Sequence, residues 1–196
     1  MRPKNVVGVM LLALFFWTVV FAGPFGLEMG MSLVEIGGQP EKVGNGLYML
    51  NTVPKTHSAF KAYVVKVAPE GGLCWVKAIG KDIATSSYGI ELQTEFHVME
   101  EKLEAAYGKH EIMDFLMTGS IWDEPNDWMM GLIQKERILA AIWEPAEGSS
   151  LPSDLKQIAL IASPISTGKG YIAIEYSFIN KDSCDAELAA LEDDAL

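Results

Sequence analysis

Hydrophobic positions along the chain follow three rhythms. The first is one unbroken run, Val6 to Ala22 (VVGVMLLALFFWTVVFA), in which Thr18 is the only polar residue. The second is a set of short apolar runs bounded by Gly, Pro, Asn or Asp, the pattern of strands. These lie at Leu47 to Thr52, Phe60 to Val67 and Leu73 to Ile79, and again at Ile138 to Trp143, Gln157 to Ser163 and Gly170 to Phe178. Pro69, Glu70, Gly71 and Gly72 join the second and third as a hairpin-type connection. The third rhythm is helical: from Ile90 to Tyr107, Phe96, Met99, Leu103 and Tyr107 fall on one face, Glu95, Glu101, Lys102 and Glu104 take the others, and Gly108 supplies the stop.

Punctuation places the remaining helices. Ser32 with Glu35 three residues later predicts a capping box, and Gly37, Gly38, Gln39 and Pro40 end that helix after about one turn. A short helical turn is expected through Ile112 to Met117. Another helix starts near Asp123 and Pro125, where an acidic cap and a first-turn proline suit the free amides, and runs through Met130 to about Gln134. The last helix covers Cys184 to Leu191.

The two strand triplets read as copies. LYMLNTVP (Leu47 to Pro54) parallels ILAAIWEP (Ile138 to Pro145), KAYVVKVAP (Lys61 to Pro69) parallels KQIALIASP (Lys156 to Pro164), and GLCWVK (Gly72 to Lys77) parallels GYIAIE (Gly170 to Glu175). The fold class expected is therefore α+β, with two helix-plus-three-stranded antiparallel meander halves related by internal duplication, and helices on one face. Residues 1–22 form a leader, 23–108 the first half and 109–196 the second half with an acidic tail, the halves making one compact unit.

Arg2 and Lys4 before the apolar run, and Val20 and Ala22 before Gly23, give the pattern of a secretory signal cleaved after Ala22. The competing reading is an uncleaved single-pass inner-membrane anchor, since the run reaches the lower edge of a spanning helix. Phe21, Ala22 and Gly23 resemble a lipobox, but Pro24 stands where the acylated Cys must be, so no lipid anchor is expected. Charge adds to this. The chain carries 15 Lys and Arg against 26 Asp and Glu, and removing the leader takes away two cations and no acid. Such a surface repels DNA, RNA and anionic lipid.

Only two cysteines exist, Cys74 and Cys184. Without CxxC spacing they form no thiolate metal site, and in an exported chain they read as one disulfide tying the last element to the middle of the chain. The other chemical motifs are incomplete. STGKG lacks the first glycine of a phosphate loop and has Gly170 where Ser or Thr must hold magnesium. His110, Glu111 and Asp114 form HExxD, one residue from a zinc-peptidase motif, with no third ligand. His57, His97 and His110, the only imidazoles, have no nucleophile elbow beside them. No cofactor and no catalytic residue are assigned.

The most unusual composition is at Ile121 to Met130, where Trp122 and Trp128 bracket Asp123, Glu124 and Asp127. Aromatics rimmed by charge recur at protein-recognition surfaces, because they bury large areas at small entropic cost. Trp122, Asp123, Glu124 and Trp128 are accordingly the candidate binding residues. The bland alternative is that Trp128, Met129 and Leu132 only pack the helix onto the sheet; exposure of Trp122 separates the two.

Gly30, Met31 and Ser32 opening a helix, Gly38, Gln39 and Pro40 closing it, and a three-stranded meander then repeated resemble the exported repeat of the SmpA/OmlA outer-membrane assembly lipoproteins and the β-lactamase inhibitor protein. The resemblance implies binding of other envelope or secreted proteins by a concave sheet, without catalysis. The expected function is an exported, periplasmic or secreted, non-enzymatic protein-binding module whose partner is another envelope or secreted protein with a basic surface. The alternative is a hydrolase or metal-dependent enzyme of unrecognised type, using His110, Glu111 and Asp114.

Overall fold

A computed structural model describes residues 23–193; the leader expected at 1–22 lies outside them. All nine strands belong to one antiparallel sheet. They are β1 (Glu41–Lys42), β2 (Leu47–Leu50), β3 (Phe60–Ala68), β4 (Gly72–Gly80), β5 (Ile83–Ala84), β6 (Glu111–Leu116), β7 (Arg137–Trp143), β8 (Leu155–Ser166) and β9 (Lys169–Phe178). The order is β1-β2-β3-β4-β9-β8-β7-β6, with β5 on the start of β9. Among the described residues four α-helices accompany the sheet: α1 (Leu33–Ile36), α2 (Ile90–Tyr107), α3 (Trp128–Ile133) and α4 (Lys181–Asp193). No helix among the described residues is long and apolar enough to cross a membrane.

Alternation along each strand divides the side chains between two faces. Tyr63 and Val65 on β3, Val76 and Ala78 on β4, Ile172, Ile174 and Tyr176 on β9, Ile158 and Leu160 on β8 and Leu139, Ala141 and Trp143 on β7 register with one another and form the main core. This face is closed by Leu92, Phe96, Met99 and Leu103 of α2, by Trp128, Met129 and Leu132 at α3, and by Leu27 before α1. The expected helical face of α2 is the buried one. Ser32 and Glu35 cap α1 reciprocally, Ser32 N donating to Glu35 Oε2 at 2.8 Å and Glu35 N to Ser32 Oγ at 3.4 Å.

Three expectations are corrected. Ile112 to Met117 is no helical turn: Glu111–Leu116 pairs along its whole length with β7, so the second meander has four strands, with α3 inserted between its first two. The apolar residues Ile112, Phe115 and Leu116 fit helical spacing and strand spacing alike, and pairing with β7 decides between them. The two-residue β1 gives the first meander four strands as well, so neither half is a helix-plus-three-strand unit.

Nor do the helices share one face. The β3–β4 register shifts between Lys66 and Val67, opposite Cys74 and Trp75, and this bulge turns Cys74 and Trp75 together toward the second face. There Cys74 bonds Cys184 of α4, and Lys66 pairs with Asp185 at 2.7 Å. Ala68, Cys74, Cys184 and Leu188 form a separate small cluster under α4. Asn180 Nδ2 donates to the carbonyls of Gly71 and Leu73 at 3.0 and 3.1 Å, and Glu187 accepts from the amides of Glu70 and Gly71 at 2.7 and 3.0 Å. The expected disulfide is thus present and holds the last helix against β4.

Candidate binding surface

α4 packs on β3 and β4, leaving the second face without a helix from β9 across to β6 among the described residues. Register places Ala173 and Glu175 of β9, Ala159 and Ile161 of β8, Ala140 and Ile142 of β7 and Glu111, Met113 and Phe115 of β6 on it. Ile138, Ile142, Ile161 and Met113 are half-buried and Phe115 is exposed. One ion pair, Lys77 to Glu175 at 2.9 Å, interrupts the apolar surface where β4 meets β9.

β6 ends the sheet on this side. Leu116 leads into the loop Met117 to Asp127, which carries the candidate residues and returns to α3. Ile121 is the most exposed apolar residue of the loop, at 75%. Trp122 is half-buried, its amide donating to Ser120 Oγ at 3.1 Å, while Asp123 and Glu124 are exposed. Trp128 belongs to the interior, 7% exposed. Its ring lies against Gly89, the left-handed N-cap of α2 (φ 69°), where a Cβ would run into the indole, and the Arg137 guanidinium stands 5.8 Å from it. The two tryptophans therefore do not form one patch. What the loop presents outward is Ile121, Asp123, Glu124 and part of Trp122, next to the exposed Met117 and Phe115.

The residues of HExxD are not brought together. His110 and Asp114 lie four residues apart along an extended chain, about 13 Å, where a helix would have set them one turn apart. Asp114 instead faces Arg137, at 3.6 Å. No group of three His, Cys, Asp or Glu among the described residues is placed to hold a metal ion.

His110 belongs to a cluster, buried at His110 and Glu100 and exposed at His97, that spacing alone does not reveal. Glu100 of α2 accepts from His97 Nδ1 at 2.7 Å through one oxygen and from His110 Nε2 at 2.8 Å through the other. The His110 side chain is 6% exposed, its ring stacks on Trp143 with centroids 4.5 Å apart, and its Nδ1 has no partner. Trp143 Nε1 donates to the Gly108 carbonyl at 3.0 Å. Burial pushes the Glu100 carboxyl up, but the two imidazoles outweigh it and hold the group below its ordinary value. The i,i+3 spacing of His97 and Glu100 is visible in the sequence. The third member arrives only because Gly108, at φ 77°, reverses the chain out of α2. The cluster fastens the root of β6 to α2.

Two hollows open on the surface of the described residues. One of about 750 Å³ runs between α1, the β1–β2 turn and α4, past Leu33, Tyr48, Leu188 and Leu191. The other, about 380 Å³, lies beside Gly23, Pro24 and Phe25 and is lined by Tyr107, Asp154 and Tyr176. Burial raises both phenols above their ordinary range. Comparisons with protein-family models, with curated proteins and with solved structures found no match to this chain.

Proposed function

We propose that this chain is an exported, non-enzymatic protein-binding module whose contact surface is the open sheet face from β9 to β6 together with the Trp122 loop at its margin. The observation that carries the reading is the apolar, helix-free character of that face, Met113, Phe115, Ile138, Ile142 and Ile161, in a chain whose opposite face is fully packed. Apolar area of this extent beside a polar rim is the signature of an interaction site. The disulfide supports an oxidising compartment and hence the leader reading. The resemblance to envelope-assembly and inhibitor repeats points the same way, and the excess of carboxylates favours a basic partner.

Internal duplication belongs to the same reading. The strand order is palindromic about the β4–β9 pair, with β3 and β8 each one step from the centre, as two copies of one meander would give. The relation is confined to the strands, because α2 and α4 cover opposite faces.

A photo-reactive residue at Ile142, in the protein exported by its own host, tests the reading: one specific protein partner should be captured, and Phe115→Asp together with Ile161→Asp should abolish the capture. A folded, exported protein that captures nothing from Ile142, Ile161 or Trp122 refutes it.

A further inference from the structure

We infer that β6 receives an extended, basic and apolar segment of another protein as an additional strand. This rests on the protein-binding reading and names where and how the partner is held. The two ends of the sheet are built differently. β1, at one end, is two charged exposed residues, Glu41 and Lys42, a guarded edge of the kind that resists pairing. β6, at the other, is six residues long, with Ile112 48% and Phe115 42% exposed.

Its hydrogen-bonding polarity follows from the ladder. Met117 N donates to the Glu136 carbonyl at 2.7 Å, and these two residues continue the β6–β7 register. In an antiparallel pair, bonded positions alternate, so Phe115, Met113 and Glu111 direct their amides and carbonyls toward β7. Leu116, Asp114 and Ile112 direct theirs outward, a row of three donors and three acceptors with no neighbouring strand among the described residues. Strand addition satisfies all of them at once.

The side chains state what the added strand must carry. An antiparallel segment sets residues opposite Leu116, Phe115, Asp114, Met113, Ile112 and Glu111 in turn. Apolar partners suit four of these, and cations three positions apart suit the exposed carboxylates of Glu111 and of Asp114, whose contact with Arg137 is long, at 3.6 Å. Asp123 and Glu124 at the neighbouring loop add negative potential. A second copy of this chain does not meet the requirement. Same-face twofold pairing centred on Asp114 opposes two Asp114 carboxylates, and pairing centred on Met113 sets Glu111 against Phe115 and Asp114 against Ile112. The net charge of −11 adds long-range repulsion.

The probe is the acetylated peptide Val-Val-Lys-Val-Val-Lys, titrated against the protein at low salt and followed by NMR amide exchange. Slowed exchange of the Ile112, Asp114 and Leu116 amides is expected, with at least tenfold weaker binding by the same peptide bearing Glu for Lys. Asp114→Pro should also weaken binding at least tenfold while leaving the fold intact, because the lost N–H is outside the ladder. Ile112→Pro serves as the second variant of the same kind. Failure of the peptide to protect these amides, or binding indifferent to both prolines in folded protein, overturns strand addition. Concentration-dependent dimerisation that protects the same amides without peptide also overturns it, in favour of a second copy. Capture from Ile142 that survives Asp114→Pro sinks strand addition and leaves the protein-binding reading standing; loss of all capture in the unsubstituted protein removes that reading itself.

Discussion

Replacing both Cys74 and Cys184 by Ala separates two roles of the disulfide. The bond joins residues 110 apart; opening a loop of that size returns about 4–5 kcal/mol of chain entropy to the unfolded state. Global stability in urea should therefore fall by roughly 3–5 kcal/mol, with a melting temperature lower by on the order of 10 °C for a chain of this length. The native state should loosen locally as well. Without the bond, α4 retains buried Leu188, worth about 1.5–3 kcal/mol, the half-exposed Lys66–Asp185 pair, worth at most about 1 kcal/mol, and its backbone ties through Asn180 and Glu187. A helix of this length is marginal by itself, so α4 should open alone, at lower cost than the sheet. Hydrogen exchange by mass spectrometry reads this directly. Peptides from Lys181 to Asp193 should exchange early while those from β4 and β9 remain protected. A loss of stability below about 1 kcal/mol, or α4 amides as slow as those of β9, would refute the claim that the bond acts both as a loop closure and as the main clamp on this helix.

Gly89→Ala should cost about 2–4 kcal/mol in urea unfolding, because a Cβ there meets the Trp128 ring on a backbone at φ 69°; a cost below 1 kcal/mol contradicts that packing. Trp143→Phe removes the bond to the Gly108 carbonyl and should cost about 1–3 kcal/mol, with the Glu111 to Leu116 amides exchanging faster. Glu100 is held below its ordinary value near 4.5 in the folded state, so its stabilisation is complete above that pH and is lost as pH falls through the lower folded value. Glu100→Gln should flatten this acid limb of the stability profile, and an unchanged limb would exclude Glu100 as its source. Intact-mass measurement of protein from its own host should find Gly23 as the first residue; a full-length species held in the inner membrane would show the anchor instead.

β2, β3, β4, β7, β8, β9 and the long helix are legible in the sequence because each is governed by its own periodicity and stops. Ile90 to Tyr107 is bounded by Gly89 and Gly108, and its apolar face needs no knowledge of the sheet. β6 was not legible, because its apolar residues satisfy two periods and the choice is made by β7, some twenty residues later in the chain. The face taken by α4 depends on a bulge at Cys74 that no local pattern announces. Of the candidate residues, Asp123 and Glu124 stand exposed as solvated carboxylates should. Composition leaves Trp128 open between a binding residue and a packing one, and its contact with Gly89, made between elements, places it inside. The Glu100 cluster joins residues on both sides of a chain reversal, so its third member is invisible to spacing.

The β4–β9 pair at the middle of the sheet has a consequence for synthesis. Residues 81–168 separate the two strands, so an emerging chain finishes β1 to β4 long before the strand that covers the free side of β4 exists. The centre of the sheet is closed last and the flanks first, a high-contact-order assembly whose rate is set by joining distant segments. During that interval Leu73 to Ile79 is an apolar edge open to any other strand, including that of a neighbouring nascent chain. Truncation anywhere before Ala173, the first residue of β9 to pair with β4, leaves the same edge bare. Premature termination should therefore yield aggregates rather than a smaller folded protein.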